Sequence, residues 1–244
     1  MKIRTLITFV LIFSFYSQAF ATAQASDRLV YKGDTISIFS NPLEQHSDID
    51  SLRLKKFGLE WMFMNTACWR GYIAEWKIED DQLYLIGIFG DKSRADLAGL
   101  FGAKFIDGKV KADWVSANIL SPQGKEIHNT NSGYEAYYER ELEFHIEKGK
   151  LIGTTLHDNS KSKKSVYNEN PEILKEFIYS NIQWESLPEQ DSVIRVFVGV
   201  AGTLDSARVV RGYNEIYDQE AIRVVKSIPE WSVYFRRGKV VPEA

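Results

Sequence analysis

The sequence predicts an α+β protein in two parts, an N-terminal, mostly antiparallel β domain followed by a small unit of order β-β-α-β. Three observations carry that expectation. Between Ser26 and His157, short runs alternate apolar and polar residues and are separated by turn-forming residues. After Pro171 the pattern switches to helical spacing, then to a β-branched run, then to a second helical stripe. Between the two lies Asp158-Asn159-Ser160-Lys161-Ser162-Lys163-Lys164-Ser165, polar, charged and without apolar period. The expected boundaries are 1–25 for an export signal, 26–157 for the β domain, 158–170 for a polar linker and 171–244 for the C-terminal unit.

The N-terminus has the build of a secretory signal peptide. Lys2 and Arg4 give a positive start, Leu6 to Tyr16 an apolar stretch, and Ala19-Phe20-Ala21, Ala21-Thr22-Ala23 and Ala23-Gln24-Ala25 small-x-small cleavage sites. The stretch falls short of the ~20 residues that span a bilayer, and Ser14, Ser17 and Gln18 interrupt it. An uncleaved N-terminus serving as an inner-membrane anchor is the competing reading. Cleavage after Ala25 removes Lys2 and Arg4 and no acid, leaving 28 basic residues against 33 acidic ones, a net charge of −5. That balance excludes nucleic-acid binding as an expectation.

Within the β domain, Arg28 to Phe39 predicts one or two strands broken at Gly33-Asp34. Tyr72 to Ile78 and Gln82 to Phe89 form a hairpin about Asp80-Asp81. Ser93 to Phe101 predicts a short helix. Lys109 to Leu120 and Tyr134 to Ile146 predict two more strands, with Ser121-Pro122-Gln123-Gly124 as the turn between them. Trp69, Arg70, Tyr72 and Trp76 cluster as a candidate platform for a glycan or peptide, against the plainer alternative of core aromatics in cross-strand ladders. Cys68, the single cysteine, forms no internal disulfide and reads as a small buried residue, with an intermolecular disulfide or a reactive thiol as the alternative. Glu139, Glu141 and Glu143 alternate along one strand face, the pattern of a solvated surface.

In the C-terminal part, Pro171 opens a helix over Glu172 to Ile182 with Ile173, Leu174, Phe177 and Ile178 on one face. Val193 to Val200 predicts a strand, Ala201-Gly202-Thr203 a turn, and Leu204 to Arg211 the returning strand. Asp218 is the expected N-cap of a helix carrying Ala221, Ile222, Val224, Val225 and Ile228 and stopped by Pro229. Trp231, Val233 and Phe235 then alternate with polar neighbours, predicting a further strand packed on that helix.

This order, with the wording YDQEAIRVVKSIPEW followed by RRGK, resembles the C-terminal domain of the TonB family of energy transducers over roughly residues 171–241. The resemblance implies structural roles for Ala221, Val225, Trp231 and Gly202, and a sheet edge that receives an extended receptor segment by β-addition. The positions it assigns to partner-strand docking are Val193, Arg195, Val196, Val198, Tyr234, Arg236 and Lys239. Two features depart from the family pattern. Trp184-Glu185 stands where members carry Tyr-Pro, and the strand after Gly238-Lys239 is short, which uncovers the Val193 to Val200 edge and leaves a homodimer by sheet extension open.

Chemistry is sparse in the sequence. His46, His128, His145 and His157 are scattered, with no metal-ligand spacing, nucleophile elbow, phosphate loop or dinucleotide fingerprint. No cofactor, metal or enzymatic activity is expected. The resemblance and the signal together imply a periplasmic protein-interaction module linked to outer-membrane transport, whose partner is an outer-membrane TonB-dependent receptor or a motor component. Ligand binding by the aromatic β domain is the alternative.

Overall fold

The computed structural model describes residues 23–63, 65–129, 132–188, 195–199 and 206–241. Its largest element is one ten-stranded sheet. β1 (Asp27–Tyr31) and β2 (Asp34–Ile38) form the first hairpin, as the Gly33-Asp34 break predicts. β3 (Ile73–Glu79) lies parallel to β1, with Leu29 opposite Trp76. β4 (Gln82–Gly90) returns antiparallel to β3. The far edge of β4 is shared. It meets β5 (Ser93–Arg94) at Phe89 and Gly90, β7 (Lys109–Lys111) at Tyr84 and Leu85, and β10 (Lys150–Asp158) at Gln82. β6 (Phe105–Ile106) pairs with β7, and β8 (Ala117–His128) and β9 (Tyr137–Glu147) complete the order β2-β1-β3-β4-β10-β9-β8.

The sheet curls until its ends meet, as barrels do to remove their edges. Phe39 N donates to Leu120 O at 2.7 Å, and Ser121 Oγ donates to Ser37 O at 2.7 Å. The interior holds Leu29, Ile38, Tyr72, Ala74, Trp76, Leu83, Leu85, Ile88, Ile119 and Phe144, all buried. α1 (Ile49–Leu54) and α2 (Leu97–Phe101) add Leu52, Leu97 and Phe101 to the same core. α2 is shorter than Ser93 to Phe101 because Asp96 caps it, its carboxylate accepting from Ala98 N at 3.0 Å.

Two-residue turns set the register. At Lys32-Gly33, Asp80-Asp81, Asp107-Gly108, Lys148-Gly149 and Arg237-Gly238, two successive residues take positive φ between directly paired flanks. This handedness matches the twist of the strands it joins. Asp80 and Asp81, at φ 49° and 57°, rely on the short polar side chain that makes this region tolerable without glycine. The Arg-Gly-Lys wording that carries part of the family resemblance is thus one of these five turns among the described residues.

Several expectations are corrected. Ser121-Pro122-Gln123-Gly124 is not a turn but lies inside β8, where the register with β9 shifts between Gln123 and Glu126 and Gly124 takes φ 78°. Pro122 is tolerated because it adjoins this register shift, where the β8–β9 ladder is interrupted. The segment 158–170 is no free linker. Asn159 and Ser165 are fully buried, Lys163 exchanges backbone hydrogen bonds of 2.8 Å with Val233, and α3 (Val166–Glu169) begins at Ser165. Its serines and asparagines replace the missing apolar contacts with hydrogen bonds to backbone, which composition alone does not reveal.

Downstream, α4 (Pro171–Asn181) forms where predicted, capped by Asn170. It lies against α3 through Tyr167 and Phe177 and against α5 (Glu215–Lys226) through Glu220 and Arg223. The N-cap of α5 is Asn214, not Asp218, because an equally good capping side chain precedes Asp218 by one turn. Asp218 instead accepts from Tyr213 N at 2.9 Å. β11 (Phe197–Gly199) and β12 (Arg208–Arg211) make one two-stranded ribbon, and β13 (Tyr234–Arg236) and β14 (Lys239–Val241) another. The order β-β-α-β therefore appears, and the strand after Pro229 meets β9. Phe235 N donates to Ser162 Oγ, Ser165 N to Ser232 Oγ and Ser232 N to Asn168 Oδ1, which ties that strand to the 158–170 segment.

Candidate functional site

The expected aromatic platform lies mostly in the core. Tyr72 and Trp76 are fully buried and the Arg70 side chain has no exposed surface; of the four residues only Trp69, 64 % exposed, faces solvent. The alternation that suggested a platform reports the inward face of β3 and the loop before it. Arg70 instead closes a polar knot at the barrel wall. Its Nη2 donates to Asp27 Oδ1 and to Ala25 O, both at 2.8 Å. Asp27 also accepts from Ala74 N at 2.9 Å and from Trp76 Nε1 at 3.1 Å. The Tyr134 hydroxyl accepts from Arg70 Nη1 at 3.2 Å and lies 2.8 Å from Asn41 Oδ1. Tyr72 donates to Glu44 Oε1 at 2.7 Å.

Burial dominates the electrostatics of this knot. It pushes Asp27 up to about 6, against the opposing pull of Arg70, the Ala74 amide and the Trp76 indole. It also raises Tyr134 to about 12 and lifts the Cys68 thiol, whose Sγ donates to Tyr72 O at 3.1 Å. A buried, hydrogen-bonded thiol with a raised pKa is a poor nucleophile. Because the folded value of Asp27 exceeds 3.8, folding takes up a proton at intermediate pH. The stabilisation this group supplies is complete below about pH 4 and is lost as pH rises through about 6. Titration followed by carboxyl-carbon NMR should place the Asp27 midpoint near pH 6. A midpoint below 4 would mean that the surrounding donors outweigh burial.

The docking positions implied by the family resemblance fall in two places. Arg195 and Val196 precede β11, Val198 lies in it opposite Val209, and Val193 lies outside the described residues, as does the Ala201-Gly202-Thr203 turn. Tyr234, Arg236 and Lys239 belong to the other ribbon, docked on the barrel. Tyr234 stacks on His128 at 4.4 Å, and Arg236 Nη2 donates to Tyr134 O at 3.1 Å. The first ribbon is exposed: Phe197 retains 51 % and Val210 69 % of its surface, and Arg195, Arg208 and Arg211 are exposed around them.

Where β13–β14 meets β9 and β10, the structure brings together residues that the sequence did not single out. Glu141 and Glu143, expected on a solvated face, are 1 % and 7 % exposed because the C-terminal ribbon covers them. Glu141 Oε2 accepts from Asn159 Nδ2 at 2.9 Å and from Arg237 N at 2.7 Å. His157 Nε2 lies 2.8 Å from Glu143 Oε2. Glu143, His157, Arg236, Arg237 and Lys239 line a cleft of about 590 Å³. Alternation along β9 shows that Glu141 and Glu143 share a face; no sequence signal shows that residues near 237 cover it.

Among the described residues, no three metal-ligating side chains converge, and no helix is long and apolar enough to cross a membrane. No protein-family profile, curated protein or solved structure matches this chain.

Proposed function

We propose that this chain is an exported protein-interaction module of the bacterial envelope, which takes an extended, acidic segment of an outer-membrane transporter as an added strand on the β11–β12 ribbon. The observation that carries this reading is the ribbon itself. Among the described residues it has two strands, an exposed Phe197 and Val210, and three exposed arginines, Arg195, Arg208 and Arg211. A short unpaired edge favours main-chain hydrogen bonding with an incoming strand, and the arginines favour an acidic one. The signal-like N-terminus and the resemblance to the TonB C-terminal domain supply the compartment and the class of partner. The ligand-platform alternative loses its support with the burial of Arg70, Tyr72 and Trp76.

Site-directed photo-crosslinking from position 197 in intact cells tests the proposal, with the crosslinked segment identified. The same experiment is run on an Arg208→Glu/Arg211→Glu double variant whose fold is checked by circular dichroism. Crosslinks to an acidic segment of a transporter, falling roughly tenfold or more in the variant, are the expected result. Equal recovery by the folded variant would rule out docking on this ribbon.

A further inference from the structure

We propose that the cleft between the β13–β14 ribbon and strands β9 and β10 binds a small phosphorylated ligand, independently of strand docking on β11–β12. Arg236 and Lys239 are directly opposed across the two-residue turn at Arg237-Gly238, so their side chains leave the ribbon on the same face. Like charges so placed repel one another and destabilise a hairpin unless a counter-charge answers them. No counter-charge in the cleft is paired with them. Among the described residues no carboxylate forms an ion pair with Arg236, Arg237 or Lys239, and Glu143, the acid in the lining, is engaged by His157. Arg236 is held in place over the Tyr137 ring, with its Nη2 bonded to Tyr134 O, while its buried Nε has no partner.

The arrangement thus gathers three cations, of which Arg236 is held in place and has an unused buried donor, around a concavity also lined by Glu143 and His157. Two guanidinium groups and an ammonium favour phosphate oxygens, which guanidinium engages through paired hydrogen bonds. A volume of about 590 Å³ falls within the range of small-molecule sites and exceeds what a bare phosphate fills. The ligand class is accordingly a phosphate monoester with a small organic body.

The full chain is titrated by calorimetry with inorganic phosphate and with glycerol phosphate at constant ionic strength, beside Lys239→Ala and Arg237→Asn. Asn retains the left-handed conformation that Arg237 adopts at φ 49°. Lys111→Ala removes an equal exposed charge elsewhere on the barrel. Both ligands should bind saturably, the monoester more tightly, with each cleft variant weakened roughly tenfold or more and Lys111→Ala unchanged within about twofold. Absence of saturable binding, or equal weakening by Lys111→Ala, would overturn the assignment. Saturable phosphate binding without any gain from the organic body would overturn the monoester class.

Discussion

Replacing Arg70 with Met is expected to lower the unfolding free energy by roughly 3–5 kcal/mol, the cost of leaving one member of a buried ion pair alone. Asp27 and Arg70 both have fully buried side chains. Loss of the guanidinium strips Asp27 of its charged partner and Ala25 O and Tyr134 of a donor. Asp27 would retain only the Ala74 amide and the Trp76 indole, and its pKa should climb further because Arg70 supplies the largest opposing pull. Urea denaturation should show a reduced midpoint at unchanged slope. The double variant Asp27→Asn/Arg70→Met should recover part of the loss, since it removes the unpaired charge while the amide oxygen still offers an acceptor to the Ala74 amide or the Trp76 indole. A single variant within about 1 kcal/mol of the parent would mean that the knot is not a stabilising link.

Glu141→Leu should separate the C-terminal ribbon from the barrel. The substitution removes the shared acceptor of the half-buried Arg237 N and of one N–H of Asn159 Nδ2, whose other bond, to Tyr138 O, remains. An unmatched buried donor costs about 1–3 kcal/mol. Because the lost Arg237 bond joins the ribbon to β9, hydrogen exchange should accelerate at Lys163, Val233 and Phe235, while amides of β3 and β4 keep their protection. Uniform acceleration throughout the chain would instead make Glu141 part of one cooperative unit. Unchanged exchange in the ribbon would show that its backbone bonds to Lys163 and Ser162 suffice to hold it.

The α+β class and the local hairpins were legible because they depend on neighbours in sequence. Alternation from Tyr72 to Ile78, the Asp80-Asp81 pair and Pro171 at a helix start are local signals, and the structure places β3, β4 and α4 where they point. The parallel pairing of β1 with β3 was not legible, since the strands are separated by the α1 region and the loop carrying Arg70. The cleft was hidden for a related reason. Periodicity assigns Glu141 and Glu143 to one face of β9, but burial of that face depends on a ribbon that follows some ninety residues later. The same alternation carried two meanings at Trp76, where inward placement won because the Trp76 indole finds its partner in Asp27.

The meeting of β2 with β8 has a consequence for how fast the chain acquires its fold. Phe39 bonds to Leu120 and Ser37 to Ser121, contacts that close loops of more than eighty residues. β1, the first strand of the sheet, needs β3 on its second side, and the ribbon at Arg237 seats on Glu141 only after nearly the whole chain has been made. Contacts of such long separation slow two-state folding into the millisecond-to-second range, roughly, because loop entropy is spent before the contacts form. Until then β8 and β2 present open edges, so intermediates of this chain should be more prone to associate than its folded state.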